Sequence, residues 1–267
     1  MHNVFIEIKY PAVRQFTEDI GRLASKKHTI RAFLEVDVTD ALQQIKSLRT
    51  PDRKVSFLAW FVKVLADTVA CHPPINGIKK GKNNVIVFEQ VDISIVVEKQ
   101  VGDTPVPLPL VLRSVNSKST FQVTEVIQNG VAQTIDDGNA PMIGTGDNQL
   151  LVTLGLIMPQ WLRLFVMRAF ILRNPDRMQK TMGTVMVTSL GTVGQIPCWI
   201  MPTSIHPLSI GIGTLTKKPY WVQGKIQPRK ILHLTLSMDH DIIDGMPARK
   251  FVADLVQRLN QGYALCE

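Results

Sequence analysis

The chain has 267 residues, of which 45% are hydrophobic and 19% charged, and its formal net charge is +8. This composition indicates a globular protein with a sizeable core and excludes a disordered or fibrous chain. The positive charge suits a polyanionic ligand, a nucleic acid or an anionic membrane surface, but only 6% of the residues are aromatic and no basic run is interleaved with stacking residues, so we expect no nucleic-acid binding.

Compartment and domain organisation follow from the cysteines and from the N-terminus. Cys71, Cys198 and Cys266 lie far apart, which argues against a zinc site or a disulfide framework and favours the cytoplasm. Residues 1–11 lack the regions of a signal peptide and are interpreted as an N-terminal arm. Because composition does not shift along the chain, we expect a single domain over 1–267.

In the first half, hydrophobic periodicity predicts most elements. Alternation over 30–37 predicts a strand, and Thr39 is expected to cap a helix that carries Leu42, Ile45 and Leu48. Residues 55–70 predict an apolar helix that ends before two prolines. The remaining expectations are paired strands at 85–88 and 91–97, a proline-punctuated loop at 104–110, the start of a helix at 117–127 and an exposed loop at 134–149.

Residues 150–172 are apolar and long enough to cross a bilayer. Arginines near the middle would be costly in hydrocarbon, so we predict a helix that begins near Pro159. Residues 150–180 are interpreted as an apolar and basic helical segment at the core or at an interface, with a peripheral membrane contact as the alternative. The expected apolar face comprises Leu162, Phe165, Val166 and Ala169, and the basic end comprises Arg168, Arg173, Arg177 and Lys180.

The C-terminal third predicts strands at 185–189, 209–216 and 231–238, each bounded by glycine or proline. Since strands and helices alternate, we expect an α/β fold, a two-layer sandwich in which helices cover a mixed β-sheet. In the last strand Leu232, Leu234, Leu236 and Met238 are expected to face the core, with Ile231, His233, Thr235 and Ser237 on a half-buried face. A helix is expected to open at Pro247 and to carry the stripe Phe251, Val252, Leu255 and Leu259.

The motif H-D-I-I-D-G at 240–245 lies between that strand and that helix. Both elements can fix the position of His240, as a general base requires. Two alternatives remain: a metal site formed by His240, Asp241 and Asp244, and a structural His–Asp pair on a turn. We expect no metal, because no third ligand cluster lies at a useful spacing.

The order of segments resembles the catalytic domain of the 2-oxoacid dehydrogenase acyltransferases and, more distantly, chloramphenicol acetyltransferase. L-T-L-S-M-D-H-D-I-I-D-G at 234–245 is similar to the family's C-terminal signature, and G-T-V-M-V-T-S-L-G at 183–191 to its strand that ends in a hydroxyl residue. I-H-P-L-S-I-G-I-G at 205–213 resembles the next loop and strand. Looser similarities lie upstream of these motifs, in the family's order, at 35–39, 72–77, 91–97 and 106–119.

The resemblance implies a chloramphenicol acetyltransferase-like fold and acyl transfer between coenzyme A and a thiol such as dihydrolipoamide. His240 would be the general base, and Thr188 would stabilise the oxyanion. Ser189 points to the opposite face of a strand and is the weaker candidate. No residue is assigned to coenzyme A binding.

The resemblance also implies support for the active-site turn. Asp244 is expected to pair with Arg14, or with Arg22 as the alternative, and its loss is expected to harm structure as much as chemistry. Gly245 is expected to provide a conformation or an approach that a Cβ would obstruct. Asp241 departs from the family, which often has arginine at that position.

Family members assemble as trimers with active sites between subunits, so the resemblance implies a homotrimer or a multiple of trimers. No lipoyl domain is recognised, which leaves two alternatives: a lipoyl or other acyl-carrier domain that acts in trans, or a different thiol or amine acceptor. The competing hypotheses are a catalytically inactive trimeric scaffold or ligand-binding protein, and a condensation-type enzyme of peptide synthesis, which would require two such halves.

Overall fold

The computed structural model of the chain describes residue 6 and residues 14–50, 54–101, 104–132, 157–191 and 196–265, with only the backbone of the strands at 98–101 and 104–106. The strands are β1 (Thr29–Asp37), β2 (Ile78–Lys80), β3 (Asn84–Ile86), β4 (Ile93–Val101), β5 (Thr104–Leu112), β6 (Val185–Ser189), β7 (Leu208–Val222) and β8 (Lys225–Asp239). The helices are α1 (Arg14–Ala24), α2 (Thr39–Ser47), α3 (Phe57–Cys71), α4 (Thr120–Ala132), α5 (Gln160–Val166), α6 (Pro175–Met182) and α7 (Gly245–Asn260), and short 3₁₀ turns lie at Pro73–Asn76 and Val115–Ser117.

A six-stranded sheet in the order β1-β8-β7-β6-β4-β5 forms the centre. β6 runs parallel to β4 and β7, whereas the other neighbours are antiparallel. One face packs against α2, α3, α4 and α7 in a continuous apolar core. The predicted α/β architecture with a mixed sheet covered by helices is therefore confirmed.

Pairing in the first half differs from the prediction. β3 pairs with β2, whereas β4 pairs with β5 and β6, so the expected pairing of 85–88 with 91–97 is wrong. The expected loop at 104–110 is also wrong, because it belongs to β5 at the edge of the sheet. An edge strand tolerates proline where its nitrogen faces away from the partner, and the spacing of Pro105, Pro107 and Pro109 puts all three on that side.

Helix boundaries follow local chemistry. Ser56 caps α3 by accepting a hydrogen bond from Ala59 N, and α3 ends at Cys71 before the prolines, as predicted. Thr39 is not a cap, because its hydroxyl donates to Asp37 Oδ1 and accepts from Lys230 N, both at 2.6 Å. Thr39 thus connects β1 to β8.

The predicted loop at 134–149 and most of the N-terminal arm lie outside the described residues.

Segment 196–202 crosses the sheet face opposite the helices. Ile200 O lies 2.1 Å from the position of a Cβ built on Gly211, and Cys198 O lies at the same distance from one built on Gly213. Trp199 of the same segment reaches β1, where its Nε1 donates a hydrogen bond to Leu34 O at 3.2 Å. Residues 231–239 are consequently buried throughout, so the expectation of a half-buried face on this strand is wrong.

The segment 157–172 forms a helix at the predicted place, since Pro159 occupies the N-cap position of α5. The predicted apolar face is wrong, because Phe165 is exposed and Arg163 is buried. Arg163 Nε donates to Asp19 Oδ2 at 2.6 Å, which holds α5 on α1. Within the described ranges, no helix is both long and apolar enough to span a bilayer.

Replacing Gly211 with alanine should lower the free energy of unfolding by about 3 kcal/mol, since the new methyl group overlaps the Ile200 carbonyl. Urea denaturation provides the measurement. Gly21→Ala in α1 is the control: nothing lies within 4 Å of the added Cβ, so stability should rise by up to about 1 kcal/mol. Equal stabilities of the two variants would contradict the close crossing.

Candidate active site

The H-D-I-I-D-G motif forms the turn between β8 and α7. β8 ends at Asp239, and α7 begins at Gly245 with Asp244 at the N-cap position. The helix opens two residues before the predicted Pro247, which lies in its first turn. Its predicted stripe is confirmed, with Phe251, Leu255 and Leu259 buried and Val252 packed against the core.

His240 is held at its backbone and at one ring nitrogen. Its N–H donates to His28 O at 2.7 Å, and Nδ1 lies 2.9 Å from Ile243 O. A carbonyl oxygen only accepts hydrogen bonds, so Nδ1 carries a proton, and in the neutral ring Nε2 has the free lone pair. The residue is exposed at the end of the sheet, so Nε2 is placed to accept a proton from a ligand.

Asp239, directly before this histidine, forms an ion pair that the sequence did not reveal. Its Oδ2 lies 2.7 Å from Lys27 Nζ, and its side chain is only 8% exposed. Its other oxygen accepts from Asp241 N at 3.2 Å. The sequence indicates this pair only through a carboxylate at the last position of a predicted strand. A carboxylate that is buried there requires a cation as its partner.

The structure does not form the predicted pair between Asp244 and Arg14. Asp244 is exposed at the N-cap position without a side-chain capping bond, and the ion pairs of the described residues connect it with neither Arg14 nor Arg22. Its charge is instead solvated at a helix N-terminus, where a carboxylate is favourable. Among the described residues nothing lies within 4 Å of a Cβ built on Gly245, so an approach that requires this glycine would come from a ligand or from another chain.

Asp241 pairs with His28 across the same turn, with Oδ1 2.9 Å from Nδ1. The hydrogen bond and the nearby negative charge raise the pKa of His28, and the same bond lowers the pKa of Asp241.

No three His, Cys, Asp or Glu side chains of the described ranges are clustered as metal ligands, and this includes His240, Asp241 and Asp244. Cys71 and Cys198 are free thiols, and Cys266 lies outside the described residues.

Thr188 lies on β6, on the sheet face that the helices leave free. It is in register with Gly211 of β7 and, through it, with Thr235 of β8. Five residue steps and two strand spacings separate that position from His240, which corresponds to about 19 Å. A single chain therefore does not bring His240 and Thr188 together. Ser189 points to the opposite side and is exposed.

A cavity of about 210 Å³ lies on this free face and extends to Asp239. Ser237 Oγ is buried at the cavity without a hydrogen-bond partner. Such an atom is costly unless a ligand or water satisfies it. Basic and hydroxyl groups complete the wall: Lys27, Arg31, Thr29, Ser25, Thr203, Ser204 and Ser209.

His206 lies at the cavity wall but is held neutral. Burial lowers its pKa to about 4, despite a bond to the Met182 carbonyl that opposes the shift. Nε2 donates to Met182 O at 3.0 Å, so Nδ1 accepts from the Ser204 hydroxyl at 2.7 Å. His206 therefore anchors the loop before β7.

Comparison with known proteins identifies the family model that fits this chain. The model of the 2-oxoacid dehydrogenases acyltransferase (catalytic domain) matches residues 15–141 and 173–266. The dihydrolipoyllysine-residue acetyltransferase component of pyruvate dehydrogenase complex is 25% identical over 266 residues in Mycoplasma capricolum and 25% over 269 residues in Bacillus subtilis. These matches cover 96% and 95% of this chain but 50% and 51% of the relatives, so the chain spans about half their length.

Solved structures share the fold. The cubic core of the pyruvate dehydrogenase multienzyme complex superposes with a TM-score of 0.68 at 20% identity, covering 100% of this chain and 96% of that one. A probable dihydrolipoamide acetyltransferase from Listeria monocytogenes gives 0.67 at 18% identity, with 97% and 96% covered. The predicted acyltransferase fold is therefore confirmed.

The wild-type protein should lose more stability on acidification than a His206→Gln variant. The unfolded chain binds a proton at His206 below about pH 6.5, whereas the folded protein does so only near pH 4. The contribution is therefore present above pH 6.5 and falls by about 3 kcal/mol as the pH drops through this window. Urea denaturation at several pH values measures it, and parallel profiles for the two proteins would contradict the neutral state.

Asp239→Ala should cost more stability than Asp244→Ala. Removal of the buried carboxylate leaves Lys27 without its partner and should cost about 3 kcal/mol, whereas the exposed Asp244 should cost less than about 1 kcal/mol. The free energy of unfolding in urea is the measurement. A loss of stability in Asp244→Ala as large as that in Asp239→Ala would favour the predicted pair between Asp244 and Arg14.

Proposed function

Because the chain belongs to the family of 2-oxoacid dehydrogenase acyltransferase catalytic domains, we propose that it transfers an acyl group between coenzyme A and a thiol such as dihydrolipoamide. The observation that carries the proposal is the bond from His240 Nδ1 to Ile243 O, which leaves Nε2 as the ring nitrogen that can accept a proton. Imidazole is the side chain most often used as a general base in enzymes.

In the proposed reaction His240 Nε2 takes the proton from the acceptor thiol. The thiolate attacks the carbonyl carbon of the acyl thioester, and the tetrahedral intermediate places a negative charge on oxygen. The Thr188 hydroxyl donates a hydrogen bond to that oxyanion. Collapse breaks the original carbon–sulfur bond, and the departing thiolate takes the proton back from the imidazolium. The sequence of steps requires no metal.

Thr188 and His240 of one active site come from different subunits in this proposal. The separation of about 19 Å within the chain supports it. So does the position of β1 at the edge of the described sheet, beside which an apolar groove of about 380 Å³ runs between β1 and α7 and reaches Gly245. A second copy of the chain fits this groove, which supports a homotrimer or a multiple of trimers.

The cavity at Asp239 suits the thiol-bearing arm of a carrier. It is smaller than sites that enclose a whole nucleotide cofactor, but Ser237 offers an unused hydroxyl to an arm amide, and Lys27 and Arg31 offer positive charge. A lipoyl or other acyl-carrier domain acting in trans would deliver that arm.

We propose that residues 1–267 form one catalytic domain, and the free thiols Cys71 and Cys198 support a cytoplasmic location.

His240→Ala should reduce thioester exchange between acetyl-coenzyme A and dihydrolipoamide by about 100-fold or more, since the general base is lost. Thr188→Ala should lower kcat by about 100-fold, the cost of removing an oxyanion donor. Ser189→Ala is the matched control and should retain activity. Rates equal to the background without protein in wild type and all three variants would leave the inactive scaffold as the function, and equal rates above that background would refute the roles of His240 and Thr188.

Mixed assemblies test whether the site is shared. His240→Ala and Thr188→Ala subunits, unfolded together and reassembled in equal amounts, should recover about one quarter of wild-type activity, because one interface in four pairs an intact histidine with an intact threonine. Each variant reassembled alone is the control. Absence of recovery in assemblies of native mass would place both groups in one subunit and refute the shared site.

A further inference from the structure

Four large apolar side chains form an exposed stripe along the segment 157–170. The exposed fractions are 76% for Ile157, 69% for Trp161, 62% for Phe165 and 52% for Phe170. Trp161 and Phe165 are four residues apart, which places them on one side of α5, and Ile157 lies just before the helix. Contiguous exposed aromatic surface of this kind marks an interaction site.

A π-helical turn at Met167–Leu172 continues the stripe beyond α5. In a π turn the hydrogen bonds run from residue i to residue i+5, so Phe170 lies over Phe165. An uninterrupted α-helix would instead rotate Phe170 toward the side of Arg163, which is buried. The rare backbone form thus keeps the fourth apolar residue exposed.

The opposite side of α5 is anchored by a polar network. Asp19 is fully buried and accepts from Arg163 Nε at 2.6 Å and from Gln160 Nε2 at 3.1 Å. Arg163 also donates to Gln15 Oε1 and to Met158 O, each at 2.8 Å. This network and a small apolar cluster fix the helix on α1, which leaves its aromatic side outward.

The charge around the stripe is strongly positive. Asp176 is the only acidic residue in 157–182, and Arg163 is already paired. The remaining basic side chains are exposed: Arg168, Arg173, Arg177 and Lys180. Aromatic side chains flanked by arginine and lysine are the composition of helices that lie in the headgroup region of anionic bilayers.

The stripe falls in the part of the chain that the family model does not match, between residues 141 and 173. An assembly surface shared by the family would lie in the matched parts, so it does not account for these side chains. A symmetric contact between two copies through the stripe would bring the arginines of both together, which is unfavourable.

We propose that this stripe and the basic residues around it dock the protein onto an anionic phospholipid bilayer surface. The aromatic side chains insert at the level of the headgroups, and the arginines and the lysine bind lipid phosphates. Docking is peripheral, and it does not depend on acyl transfer.

Vesicle flotation of the full chain tests the proposal. The wild-type protein should float with vesicles of phosphatidylcholine mixed with phosphatidylglycerol and stay unbound with phosphatidylcholine alone, and added salt should weaken its binding. Trp161→Gln with Phe165→Gln and Phe170→Gln should weaken binding by about tenfold or more. Arg168→Gln with Arg173→Gln, which leaves the aromatic side chains of the stripe in place, should weaken it by about fivefold for each arginine.

Trp221→Gln is the matched control, since Trp221 is also 69% exposed but lies on the β7–β8 hairpin. It should bind vesicles as the wild type does. The proposal fails if wild-type protein floats with neither vesicle type, or if the control weakens binding as much as the stripe variants. A third outcome also contradicts the proposal: the wild type binds no vesicles, and the stripe variants change the assembly mass in the absence of lipid. A second copy of the chain would then cover the stripe.

Discussion

The register of β6, β7 and β8 is the constraint on which the proposed chemistry depends. β8 runs antiparallel to β7, so its last residue delivers His240 to the end of the sheet where β6 and β7 begin. Thr188 lies further along β6, on the face away from the helices. Hydrogen bonds of the ladder fix this separation of about 19 Å, and side-chain motion cannot close it. A base and an oxyanion donor so placed can serve one reaction only when two chains meet.

Within the chain, buried polar contacts hold the histidine. Lys27 neutralises Asp239 directly before it, His28 accepts its backbone N–H, and Ile243 fixes its ring. Two of these three contacts come from the connection between α1 and β1, which also lines the cavity at Asp239. The crossing of 196–202 over Gly211 and Gly213 closes the same sheet face beyond the cavity. Polar side chains in β8 are thereby buried, and Ser237 keeps an unpaired hydroxyl at the cavity.

The segment 157–172 is built differently from the rest. The core relies on apolar packing between the sheet and four helices, whereas α5 and the π turn after it are attached to α1 through the Arg163–Asp19 ion pair and a small separate apolar cluster, with their aromatic residues outward. Desolvation limits the net contribution of the ion pair to stability. The sheet shared with the family therefore carries the proposed active site, whereas this segment carries the proposed docking surface.

Periodicity and local motifs determined the strands at 30–37, 185–189 and 231–238, the helix that ends before the prolines at 73 and 74, and the His240 turn, because each depends on residues close in sequence. The family signatures also indicated the fold. Long-range contacts decided the rest. The prolines of β5 are compatible with a strand only because that strand lies at an edge, and Asp239 rather than Asp244 obtains a cation because only Asp239 is buried. Burial and strand order are properties of the assembled sheet, so no local pattern in the sequence encodes them.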